Sequence, residues 1–175
     1  MTEPARRRRL DRILDPSYFE ALDRRAIDDL RLMRGECGEV ETEVSYVRRL
    51  AQARLEIIRA ELERRERGGD LGELIASLPQ ILAGDSARSG AVGSRIVQSL
   101  APSMSIAWNR GLERLISDST LVNLPSLGDD ELRTTIEELG KLENEVSGVR
   151  RRLHSVIDQL DLELGARLRS TPQSL

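Results

Sequence analysis

The sequence predicts an all-α protein: an antiparallel coiled-coil hairpin of two long helices, joined by a connection of short helices and loop. Three observations carry that expectation. Apolar residues from Leu30 to Ala51 fall at alternating three- and four-residue steps, the spacing that keeps a helix seam turned toward a partner, and a second seam runs from Leu132 to Leu164. Charged residues make up 33% of the chain and aromatics only 2%, a balance that suits long helices and cannot fill a thick globular core. The two stretches also match each other at an offset of 102 positions.

The expected organisation is a single helical domain over residues 1–175. Residues 1–14 read as a flexible tail in which Leu10, Ile13 and Leu14 hint at a short turn. No apolar segment follows the run Arg6-Arg7-Arg8-Arg9, so it is not a secretory signal. Asp15 and Pro16 read as an N-cap followed by proline at the first helical position. The first long helix is expected over residues 16–67. Its helical pattern is Phe19, Leu22, Ile27, Leu30, Met33, Cys37, Val40, Val44, Val47, Ala51, Leu55, Ile58 and Leu62, and Gly68-Gly69 ends it. Residues 68–127 form the connection. Asp70 to Leu82 reads as a short helix interrupted by Pro79, residues 84–94 as a flexible loop, and Ile96 to Ile116, with Trp108, as a weaker helical stretch. The second long helix is expected over residues 128–168, with the seam Leu132, Ile136, Leu139, Leu142, Val146, Val149, Leu153, Ile157, Leu160 and Leu164.

Several function classes fall away. A net charge of −3 gives no global pull toward nucleic acid or an anionic membrane. No apolar run approaches the ~18 residues a membrane span needs. One cysteine and one histidine cannot build a Cys-based metal site, and Cys37 falls on the seam as an inert thiol. Ser147, His154 and Asp158 lie along one regular helix with no strand-to-helix elbow, so they make no hydrolase triad. The expectation is a cytoplasmic protein that is not an enzyme, carries no metal or cofactor, and neither enters a membrane nor binds DNA directly.

The repeat is the informative feature. Of the 35 positions in Asp28–Leu62, 14 are identical in Asp130–Leu164. ETEVSYVRRLAQARLE in the first copy answers ENEVSGVRRRLHSVID in the second. The matched polar positions are Glu41, Ser45, Arg48, Gln52 and Glu56, then Glu143, Ser147, Arg150, His154 and Asp158. Steps of four, three, four and four place each set in a stripe on one helix face. Each stripe follows its seam by one residue, about 100° of rotation, so it flanks the packing surface. In a parallel pair the stripes would emerge on opposite sides, whereas an antiparallel pair brings both to the same side. Arginine can grip the N7/O6 edge of guanine bidentately and also binds phosphate, and carboxylates accept from guanine N–H donors. A ligand with two guanines and two phosphates, such as cyclic di-GMP, would match such a repeated surface.

The pattern Glu-x3-Ser-x2-Arg-x3-Gln-x3-Asp, once in each helix of the hairpin, resembles the signature of the RsiG family of cyclic di-GMP-dependent anti-sigma factors from spore-forming bacteria. Glu56 stands where the family has Asp, and His154 where it has Gln. DPSYFEALDRRAIDDLR, ahead of the first copy, resembles the family less specifically. The resemblance implies that a dimer of cyclic di-GMP lies on the hairpin and helps it hold a WhiG-type sigma factor, a relative of the flagellar sigma. It also implies that Arg48 and Arg150 contact guanine and phosphate, and that the acidic positions take guanine donors. Two other readings stand beside it. One is a structural coiled-coil interaction protein without nucleotide, whose polar stripes are held by Glu–Arg pairs. The other is a nucleic-acid binder using the arginine-rich N-terminus. Gly38 and Gly140 each cost a helix about 1 kcal/mol against alanine, which suggests either close backbone approach or a kink.

Overall fold

In a computed structural model of the protein, residues 4–88, 121 and 123–170 are described, and they form an all-α fold with no strand among them. Helix α1 spans Pro4–Ile13, α2 Ile27–Arg67, α3 Leu71–Arg88 and α4 Asp129–Ser170. The long helices α2 and α4 pack against each other. Cross-helix contacts show that they run antiparallel, because sequence separation shrinks steadily along the pair. It is 127 for Arg34–Asp161, 113 for Glu41–His154 and 105 for Ser45–Arg150. Nearer the connection it is 91 for Gln52–Glu143 and 64 for Arg65–Asp129.

The chain divides into two compact units, where the sequence suggested a single domain. One contains α1, α2 through Tyr46 and α4 from Val146; the other contains α2 from Val47, α3 and α4 through Glu145. In the first unit Leu30, Met33, Cys37, Val40 and Val44 of α2 are buried, as are Val146, Leu153, Val156 and Leu160 of α4. The second unit buries Val47, Ala51, Leu55 and Ile58, with Leu74, Leu132, Leu139 and Leu142. Leu132, Leu139, Val146, Leu153 and Leu160 recur every seven residues, and so do Leu30, Cys37, Val44, Ala51 and Ile58. That is the heptad expected of a coiled-coil seam.

Three boundaries differ from expectation. Residues 4–13, read as a flexible tail, form α1. Ile13 is fully buried, and Arg9 and Arg12 reach Glu36 and Glu39 of α2, so the segment is fastened by burial and ion pairing. The first long helix begins at Ile27 and not at residue 16. Asp15 does cap, accepting from the Ser17 backbone at 2.9 Å, but it caps only a 3-10 turn at Pro16–Phe19. Ala21 then adopts φ 57°, a left-handed conformation that stops a helix, and a second 3-10 turn at Leu22–Arg24 follows. Helix α3 continues through Pro79 to Arg88, so neither the expected interruption nor the start of the expected loop is present. The weaker helical stretch around Trp108 and the remainder of that loop lie outside the described residues.

The seam is corrected at its edges. Val156 is buried in place of Ile157, because three residues after Leu153 the heptad returns to 156; Ile136, Val149 and Leu164 are only half-buried. On α2 the positions that continue the Val40–Val47 series are Arg54 and Glu61, and both are buried, while Leu62 is half-buried. Glu61, 1% exposed, receives Arg64 Nε at 2.7 Å and Arg65 Nε at 2.6 Å. Arg65 also donates to the carbonyls of Leu127 and Leu124 and to Asp129, which fixes the chain where it enters α4. Arg64 donates to the Gly69 carbonyl at 2.6 Å, just before α3. Gly68, at φ 70°, makes the turn between α2 and α3.

Candidate functional site

The first unit gathers one cluster of stripe residues from both copies of the repeat. Glu41 Oε1 is its centre. Ser45 Oγ donates to it at 2.7 Å and Arg150 Nε at 3.0 Å, while His154 Nε2 lies 2.9 Å away. Arg150 Nε also donates to Ser45 Oγ at 2.9 Å, so the hydroxyl links carboxylate and guanidinium. Burial raises the Glu41 carboxyl pKa, but the hydrogen bonds from His154, Ser45 and Arg150 together outweigh it and hold the group below the ordinary carboxylate range. Glu41 is therefore an anion at neutral pH, shared among three neighbours.

The second unit gathers the counterpart. Gln52 Nε2 donates to Glu143 Oε1 at 3.1 Å, and Arg48 Nη1 stands 3.7 Å from the same oxygen. The two clusters use the same three roles with the copies exchanged. A glutamate from one copy meets an arginine and a hydrogen-bonding side chain four residues beyond that arginine from the other. The steps of four, three and four make this possible, because they keep glutamate, serine and arginine on the flank nearest the facing helix.

The last position of each stripe behaves differently. A second four-residue step from Gln52 or His154 carries the side chain about 40° further from the seam. Glu56 is half-buried and Asp158 exposed, and neither holds a hydrogen bond or an ion pair among the described residues. Ser147 is half-buried, one turn before Arg150. The structure thus brings together Glu41, Ser45, Arg150 and His154, and separately Arg48, Gln52 and Glu143. It leaves Glu56 and Asp158 as open carboxylates.

Sequence reasoning overlooked Arg54, Glu61, Arg64 and Arg65, although continuing the seven-residue series from Val47 leads directly to 54 and 61. It also overlooked the Arg34–Asp161 ion pair at 3.0 Å. Among the described residues no group of three or more His, Cys, Asp or Glu side chains could hold a metal ion. No described helix is long and apolar enough to cross a membrane.

Two long antiparallel helices carrying a repeated polar stripe beside their seam define a coiled-coil hairpin protein. Residues 16–82 and 118–175 match the RsiG-like family, and the chain belongs to that family. The family is one of anti-sigma factors, regulatory proteins whose partner is a sigma factor. A comparison with curated proteins gives no match.

Proposed function

We propose that this chain binds cyclic di-GMP, as a dimer of the nucleotide, through its two stripe clusters, and with it sequesters a WhiG-type, flagellar-like sigma factor in the cytoplasm to block transcription. The observation that carries the reading is the recurrence of one trio of roles, Glu41–Arg150–His154 and Glu143–Arg48–Gln52, with the copies exchanged. A coiled coil that needed only solvated flanks would not require matched trios. Each arginine already sits on a carboxylate in a half-buried setting, and a guanine edge with its phosphate offers the same guanidinium a planar acceptor pair in exchange. Glu56, half-buried, and Asp158, exposed, supply acceptors for guanine N–H donors. Ser45 and Ser147 supply short hydroxyl contacts beside the arginines. The nucleotide would act as glue, because contacts made only in the ternary complex shift the sigma factor toward its bound state.

The internal pairing of Glu41 with Arg150 also favours the reading without nucleotide, in which these pairs simply hold the helices in register. Calorimetry with the purified full-length chain decides between them. Uptake of cyclic di-GMP, alone or with a WhiG-type sigma present, supports the proposal; no heat in either setting removes it. The double variant Arg48→Ala, Arg150→Ala is expected to lose nucleotide binding by at least ~100-fold while retaining its helical circular dichroism, since each lost charged contact costs about 1.5–3 kcal/mol. Normal binding by that variant would place the ligand elsewhere.

A further inference from the structure

The two clusters differ in the residue four positions after the arginine. Where the Glu143 cluster holds Gln52, the Glu41 cluster holds His154, the only histidine in the chain. We infer that His154 makes uptake of the anionic nucleotide at the Glu41 cluster proton-dependent, tightening as pH falls, and that the Glu143 cluster has no such control. This inference rests on the nucleotide reading above.

The geometry supplies the mechanism. Ser45, Arg150 and His154 all converge on one oxygen, Oε1 of Glu41. With a neutral imidazole, Arg150 is the one cation on that carboxylate within the cluster, and the cluster's charges cancel. For Arg150 to turn toward a phosphate or a guanine edge, it must then leave a half-buried anion without a cation. A protonated imidazole changes both terms. The cluster gains a unit positive charge, which attracts phosphodiesters, and Glu41 keeps a cation when Arg150 moves away. Both effects favour an anionic ligand. In the Glu143 cluster, Gln52 carries no titratable group and Arg48 keeps its charge throughout.

From α2 His154 faces Glu41, and on α4 Arg150, Arg151 and Asp158 lie within about one turn. On α1, Arg9 and Arg12 pair with Glu36 and Glu39 of α2. Guanidinium and carboxylate groups as classes, and phosphodiesters, hold their charge between about pH 6 and 8, and imidazole is the side-chain class that changes there.

The test titrates cyclic di-GMP into the full-length chain by calorimetry at about pH 6 and about pH 8, for the natural protein and for His154→Gln. The substitution installs at position 154 the residue that the equivalent position 52 already carries, so the helix has no reason to fail. The natural protein is expected to bind about three- to tenfold tighter at the lower pH. His154→Gln is expected to bind equally at both. As a second readout, the single imidazole resonance should titrate at higher pH in the saturated complex than in the free protein. Binding with identical pH profiles in both proteins, or an imidazole midpoint that the nucleotide does not move, overturns the inference and leaves the nucleotide reading standing. No uptake by either protein at either pH overturns both.

Discussion

Glu61 shows what one misplaced charge can do to a seam. It occupies a position where the heptad calls for an apolar side chain, yet it is as buried as the leucines around it and is held by Arg64 and Arg65. The Arg64 hydrogen bonds are the main cause that brings its carboxyl from an ordinary 4.5 to about 2, with Arg65 adding to them against burial. A depressed carboxyl stabilises the fold fully above its unfolded value and loses that contribution as pH falls toward the folded one. The network is therefore at full strength at neutral pH and fades between about pH 4.5 and 2. Acid titration followed by circular dichroism should show a transition in that window that becomes shallower in Glu61→Gln. The candidate site was more legible than this network, because glutamate, serine and arginine recur at matched places in two helices. Of that network, Glu61 and Arg65 recur as Glu163 and Arg167, an ion pair of the same spacing at 2.7 Å, whereas Arg54 aligns with Val156, so only packing reveals that it is inside.

Among the elements, the long helices were legible because an uninterrupted heptad is a strong signal, and their ends were not. Asp15-Pro16 has the chemistry of a helix start, and it does cap a turn, but Ala21 in a left-handed conformation separates that turn from Ile27. Nothing in the residue name Ala announces φ 57°, a conformation tolerated at a cost of roughly 1 kcal/mol. The glycines within the helices turned out otherwise than their cost suggested. Both α2 and α4 run through them, and a methyl group at Gly140 would meet nothing within 4 Å. Close backbone approach therefore does not explain Gly140. Gly140→Ala should stabilise the fold by about 1 kcal/mol, seen as a higher midpoint in urea with an unchanged slope.

For the molecule as a whole, the hairpin's direction followed from one requirement of the sequence, that two stripes displaced the same way from their seams should meet. Contacts such as Glu41–Arg150 and Glu143–Gln52 are what that requirement demands, each pairing one copy with the other. The division into two compact units was not legible, since each long helix belongs to both and no break in its heptad marks the change. Nor was the docking of α1, because a run of arginines reads as a solvated arm until acidic partners such as Glu36 and Glu39 are found beside it.

Arg64 and Arg65 fasten the departure toward α3 and the arrival at α4 to one buried carboxylate. The ends of the connection are thus clasped, and what runs between them is released from any duty to measure distance. Closing a longer loop between fixed ends costs only about 0.6 kcal/mol for each doubling of its length. Ten glycine and serine residues inserted between α3 and α4 should lower stability by less than about 1 kcal/mol, read as the urea midpoint, whereas the same insertion in a Glu61→Ala background should cost more. Such a clasp sets the spacing of the two helix ends by itself, whatever length of chain joins them.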